Sequence, residues 1–209
     1  MGKGNYLITI EENGHPVHGI IMLDSHNRNE IFNEEGVRIN KYDKIWKSQI
    51  DWYSDICNDL KQQGCCDTTM IFHIPIYAFN QAFSAAFLKG ILPREVNPKE
   101  SYNPVFWNEG YKDSFGIKHK EINTYYQDDG VLDCIIKNGS TKLVLVGHDH
   151  LNNWSIKYKG VRLTYSLKTG AGHSWKPFLS GGTVLRIGSE GLKEVYHEYV
   201  DGTPFMPKA

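Results

Sequence analysis

Two short stretches carry the side chains best suited to chemistry. Gly147-His148-Asp149-His150 follows the apolar run Lys142-Leu143-Val144-Leu145-Val146, and His73 follows Met70-Ile71-Phe72, just before Ile74-Pro75. Imidazole is the commonest protein metal ligand, so two of them two positions apart suggest a metal site. The runs that precede them are short, apolar and rich in branched residues, which reads as buried strands. Gly147 frees the backbone to leave strand geometry. If the segment beyond it stays extended, His148 and His150 point in similar directions. Pro75 cannot donate to a sheet ladder, so its strand is expected to end at about His73. Each run then delivers a histidine at a strand exit, where sites form in open α/β sheets. The plainer alternatives are a polar loop after a core strand and, for His73, a hydrogen-bonded core histidine.

Phe72-His73-Ile74-Pro75 followed by Gly147-His148-Asp149-His150 resembles the last two motifs of the calcineurin-like metallophosphoesterases. The purple-acid-phosphatase-like branch is the nearest within that superfamily. Lesser matches follow in the same order: Gly4-Asn5-Tyr6 at the start of a strand, Leu23-Asp24-Ser25 at a strand end, Gln49-Ile50-Asp51-Trp52 in a helix, Asn152 just past the histidines, and Lys168-Thr169-Gly170 at a later strand end. The resemblance runs from Gly4 to about Tyr199 and is loose between Ile91 and Asn123. It implies an α/β fold, part of a two-sheet α/β/β/α sandwich with mixed sheets and antiparallel strands near the C-terminus. It also implies metal-dependent phosphoester hydrolysis, by a phosphatase or phosphodiesterase, with two metal ions (Fe, Zn or Mn) in the complete domain. His73 and His148 would ligate one metal and His150 the other. Asp149 would hold the loop and Asn152 stands where these proteins often carry Asn, while His173, which follows a strand and the glycine turn Gly170-Ala171-Gly172, is a further candidate for touching substrate.

The family pattern opens with Asp-X-His, then Gly-Asp-X-X-Asp, then Gly-Asn-His. That ordered set does not occur here, although Asp24-Ser25-His26 has the letters of the first motif. The chain therefore resembles the carboxy-terminal portion of the domain, and residues 1–209 read as one unit without internal repeat or linker. On this reading the remaining carboxylate, Asn and His ligands are not supplied, and the chain is expected to be inactive alone. A non-catalytic metal- or partner-binding module of the same origin is the alternative.

With 40% hydrophobic and 22% charged residues the chain has the material for a core and is not a candidate for disorder. A net charge of −1 argues against broad electrostatic binding to nucleic acid or to anionic membranes. No apolar run approaches the ~20 residues that span a bilayer. Met1-Gly2-Lys3-Gly4-Asn5 shows no signal-peptide pattern, so the chain reads as soluble with its compartment open. Cys57, Cys65, Cys66 and Cys134 lack Cys-X-X-Cys spacing, which argues against a zinc knuckle.

The elements that would position the histidines follow from pattern. Asn5–Ile10 and Val17–Leu23 read as strands around a turn at Glu12-Asn13-Gly14. Ile45, Trp52, Tyr53, Ile56 and Leu60 recur at helical spacing, predicting a helix from Tyr42 to Gln63 that Gly64 ends. Further helices are expected at Ile76–Leu88 and Gly130–Asn138. Trp154–Tyr158, Val161–Leu167, Thr183–Ile187 and Glu194–Tyr199 alternate as antiparallel strands. Between Pro93 and Asn123 no period holds. Tyr102, Phe106, Trp107, Tyr111 and Phe115 there could line a substrate cleft or cap the core. His15, His18, His26, His119 and His197 read as structural or exposed. If half a domain stands alone, strand edges near Met70–Ile74 and Lys142–Val146 are expected to be bare and to drive self-association.

Overall fold

Asn13 and Gly14 both take positive φ (+53° and +77°), as an Asn-Gly hairpin turn requires. They join β1 (Tyr6–Glu12) to β2 (His15–Met22). The computed structural model describes residues 4–90, 106–200 and 204–205. Tyr102 lies outside them.

A second hairpin, β3 (Arg28–Phe32) with β4 (Arg38–Tyr42), was not expected. Its strands are mostly exposed, and the one buried residue, Asn40, is polar, so they lack an apolar period. Asn33 closes it, with Oδ1 accepting from the Glu35 and Val37 N–H groups at 3.1 and 2.8 Å. The buried Asn40 amide donates to Tyr42 O at 2.8 Å and to Asn29 O. Held this way, Tyr42 is strand rather than helix.

The helix α1 spans Lys47–Gln62. Trp46 caps it in extended geometry, and Gln49 Oε1 accepts the Trp46 N–H at 2.9 Å. Gly64 (φ +87°) ends it, with Cys65 N–H on Leu60 O and Gly64 N–H on Lys61 O, at 2.9 and 3.0 Å. Gln49, Tyr53, Cys57 and Leu60 form its buried face. The helix predicted from Tyr42 thus starts five residues late, although Ile45 is buried as its pattern suggested.

Then follow β5 (Thr68–Ile71), α2 (Ala78–Ala86), α3 (Val131–Asn138), β6 (Thr141–Val146), β7 (Ser155–Tyr158), β8 (Val161–Tyr165), β9 (Gly181–Gly188), β10 (Gly191–Tyr199) and β11 (Pro204–Phe205). The fold is mixed α/β. Six strands form one mixed sheet in the order β1-β2-β5-β6-β8-β7, while β11-β10-β9 and β3-β4 form small sheets, antiparallel within each. In the large sheet β2, β5, β6 and β8 are parallel, with antiparallel β1 and β7 at its edges.

Two expectations are corrected here. The strand β8 runs antiparallel to β7 but parallel to β6, a pairing that local alternation cannot reveal. The strands near Met70–Ile74 and Lys142–Val146 are not bare edges. Both β5 and β6 are interior, and Met70 and Val144 are buried.

Side chains on β2 alternate between the two layers. Gly19 faces α1, where a Cβ would stand 2.7 Å from Leu60 Cδ1. His18 points the other way and meets Asp67 Oδ1 at 2.6 Å, which also accepts the Leu192 N–H of β10 at 2.9 Å. Phe79 of α2 packs on Trp154 and Tyr165 at ring distances of 5.2 and 5.3 Å. Trp107 and Phe115 are buried, with Phe106 and Tyr111 against the core or half-exposed, so these aromatics cap the core. Among the described residues no helix is long and apolar enough to cross a membrane.

The small sheet is tied to the large one through His197. Its Nε2 donates to Asn153 O at 2.5 Å, and its Nδ1 accepts from Thr183 Oγ1 at 3.0 Å. Complete burial holds this imidazole's pKa down at about 4, against the backbone hydrogen bond that favours the cation. The unfolded chain protonates His197 near pH 6.5. The unfolded state therefore gains protons first, and stability falls as pH drops from about 6.5 toward 4. The expected loss is about 3 kcal/mol. Denaturant titrations across that range should show it, and His197→Gln should flatten the slope.

Candidate functional site

Parallel pairing of β5 with β6 brings their exits side by side, and the Gly147 N–H donates to His73 O at 3.1 Å. His73 Nε2 and His148 Nδ1 lie 3.3 Å apart, with rings at 88° to each other. Gly147 serves this approach by its lack of a side chain, since a Cβ would stand 3.3 Å from His73 Nδ1. The turn itself is made elsewhere. His148 takes φ +71°, and the Asp149 N–H donates back to Gly147 O at 2.9 Å. That closes a three-residue γ-turn centred on His148, so the segment does not stay extended. A residue with a Cβ carries about 1–2 kcal/mol of strain in this conformation.

The turn sends Asp149 inward, where it is buried. Oδ2 accepts from Tyr165 OH at 2.6 Å and from the Asn123 N–H at 3.0 Å, and Oδ1 accepts from Asn123 Nδ2 at 2.6 Å. Burial and the adjacent carboxylate push the Tyr165 phenol well above its ordinary range, which keeps it a proton donor. Asp149 thus fixes the loop that carries the two histidines.

His150 Nδ1 donates to His173 O at 2.8 Å, which leaves Nε2 as the free lone pair. A second-nitrogen bond to a backbone carbonyl is how ligating histidines are commonly oriented. The His150 and His173 rings are 6.2 Å apart. Asn152 is buried, and its Oδ1 accepts from the His119 and Lys120 N–H groups at 3.1 and 2.9 Å. It shapes the adjoining loop and does not line the cleft.

His73, His148, His150 and His173 line a cleft of about 590 Å³. Lys41 and Tyr42 of β4 form one wall, and Lys120, Glu121 and Asn123 form another. The Tyr42 ring meets His148 edge-on at 4.6 Å. None of these five was singled out from sequence. Burial lowers the His73 pKa, aided by His150 and opposed by Asp149. Burial also lowers that of His148, opposed by Asp149 and aided by His73, His150 and Lys41. Both shifts favour the neutral imidazoles, and at 3.3 Å one of the two facing nitrogens donates its proton to the other, so a cation bound between them would displace that proton.

Two nitrogens bound to one tetrahedral cation at 2.0–2.1 Å stand about 3.4 Å apart. The His73–His148 pair fits that separation. No group of three or more His, Cys, Asp or Glu side chains is arranged to hold a metal among the described residues. His150 shares the cleft but is turned by its bond to His173. Asp24 and His26 are not part of the cluster. The His26 N–H bonds Asp24 Oδ1 at 2.8 Å, and its ring bonds Gln49 Oε1 at 2.9 Å beside Trp46. Between them Ser25 Oγ accepts the Ile74 N–H at 2.9 Å, tying the end of β2 to the residue after His73. Comparison with protein-family models, with curated proteins and with solved structures finds no match to the chain.

Proposed function

We propose that the chain acts in metal-dependent phosphoester hydrolysis as the carboxy-terminal portion of a calcineurin-like metallophosphoesterase domain. The observation that supports this best is the 3.3 Å approach of His73 Nε2 to His148 Nδ1 at adjacent parallel strand exits. In this reading the large sheet and the β9–β11 sheet are parts of the two-sheet sandwich.

His73 and His148 would hold a divalent cation, and His150 would contribute once its ring turns from the His173 carbonyl. Bound metal supplies charge that polarises a phosphoester and lowers the pKa of a water. Asp149 keeps the histidine turn in place through Tyr165 and Asn123. Lys41 and Lys120 reach the cleft walls as cations able to meet substrate oxygens, with Glu121 and Asp149 in the same lining offsetting their charge. The ordered Asp-X-His, Gly-Asp and Gly-Asn-His motifs do not occur in the 209 residues. The bridging carboxylate and the acid histidine are therefore not among this chain's contributions. A second reading, a non-catalytic metal- or partner-binding module, draws on the same geometry, because two nitrogens converge where catalysis needs a bridged metal pair.

Calorimetry with Zn²⁺ and Mn²⁺ is expected to find at most about one weakly bound cation per chain. His148→Gly should abolish that binding while raising stability by about 1 kcal/mol, because Gly relieves the positive φ. His119→Ala should leave binding unchanged. Para-nitrophenyl phosphate should be hydrolysed only when a segment carrying the three missing motifs is fused ahead of residue 1. Two tight metals per chain, or turnover by the chain alone, would overturn the half-site reading. No turnover by the fusion would favour the non-catalytic module.

A further inference from the structure

The large sheet ends on one side in β1, which pairs only with β2 among the described residues. Its other edge, β7, is partly covered, since Ser155 forms a bridge with Phe115. An unpaired strand is a template for another strand. The usual protections are absent from Tyr6 to Ile10, a stretch without Lys, Pro or inward charge. The register shift after Ile10 and the acidic pair Glu11-Glu12 lie beyond that stretch.

Side chains make the edge more than a bare backbone. Tyr6 and Ile8 are 46% and 45% exposed, and they share a face with half-buried Ile10, Ile20 and Met22. His18, opposite Ile10 on this face, is buried against Asp67 under β10, so the exposed apolar part is the outer margin at Tyr6 and Ile8, which favours burial by a partner strand.

We propose that β1 pairs antiparallel with β1 of a second copy of this chain, about a two-fold axis at Ile8, to make a continuous sheet across the dimer. The order of residues argues for this occupant and this register. With Ile8 opposite Ile8, Tyr6 of each copy faces Ile10 of the other, and Leu7 faces Thr9. Glu11 and Glu12 then lie opposite Asn5 and Gly4, so no like charges meet. Shifting the axis to Thr9 would set Glu12 against Tyr6 and Glu11 against Leu7. Parallel pairing in register would stack Glu11 on Glu11 and Glu12 on Glu12, which is unfavourable. Even spacing about Ile8 keeps Tyr6, Ile8 and Ile10 of both copies on one face, and an isologous contact of this kind closes as a dimer.

Sedimentation equilibrium of the 209-residue chain is expected to show a concentration-dependent monomer–dimer equilibrium. Ile8→Lys places two ammonium groups across the axis and should raise the dimer dissociation constant at least about tenfold. Its far-UV spectrum should stay native. Independently of that variant, Ile8→Cys in a Cys66→Ser background should form a disulfide-linked dimer under mild oxidation. Tyr6→Cys alone should not, whereas a mixture of Tyr6→Cys and Ile10→Cys chains should cross-link. A wild-type monomer at every concentration, or a dimer indifferent to Ile8→Lys and not cross-linked through position 8, would overturn the proposal.

Discussion

Asp149→Ala is expected to destabilise the chain by about 4 kcal/mol and to weaken Zn²⁺ binding 10–100-fold. Three donors aim at this buried carboxylate: Tyr165 OH, the Asn123 N–H and Asn123 Nδ2. Truncation orphans all three, and each buried unpaired group costs about 1–3 kcal/mol. The costs do not add fully, because Asn123 can relax toward solvent. Asp149→Asn keeps the shape but must set an amide donor against one of the existing donors, so about half the loss should remain. Denaturant unfolding measures the first quantity and metal titration the second. If Asp149→Ala were to leave stability unchanged, the carboxylate would not be what fixes the histidine turn.

Gly116→Ala should be worse for the fold, at about 4 kcal/mol or more. Gly116 takes φ +85°, and its added Cβ would lie 2.3 Å from Asn153 O and 2.5 Å from Trp154 Cα. Both obstacles are backbone, so a rotamer change cannot relieve them. They are also held, since the Asn153 N–H bonds Ile117 O at 3.1 Å and Asn153 Oδ1 accepts the Ile117 N–H at 2.7 Å. Gly110 is the control. Its φ is +84°, yet nothing lies within 4 Å of its Cβ position, so Gly110→Ala should cost only about 1 kcal/mol. Thermal or chemical melts of the pair separate backbone strain from collision.

Particular residues show what the sequence could and could not reveal. The β1–β2 hairpin was legible because Asn13-Gly14 has few conformational alternatives. The last helix was expected at Gly130–Asn138, and the structure places it at Val131–Asn138, with Gly130 and Gly139 as its two caps in left-handed geometry. The start of α1 was misplaced because Ile45 is apolar and buried without being helical. The β3–β4 hairpin was missed because its strands bury little, and with it Lys41 and Tyr42 went unnoticed as cleft walls. The convergence of His73 and His148 was legible only as two strand exits. Their 3.3 Å approach depends on the β5–β6 pairing, a contact between distant residues that no local window contains. The direction of Asp149 was open for the same reason: the γ-turn at His148 overrides the alternation that an extended segment would give.

The strand order also bears on how fast this chain reaches its fold. Hairpins such as β1–β2 and β9–β10 join neighbours in sequence and close in about 1–10 μs. The centre of the large sheet is different, because β5 cannot meet β6 until residues 72–140 are gathered between them. Chains dominated by such distant pairings fold in about milliseconds to seconds, since loop closure is paid before the contacts reward it. His73 and His148 sit at the far ends of that same closure. They come together only when that pairing forms, so the imidazole pair reports closure of the longest connection between neighbouring strands of the sheet.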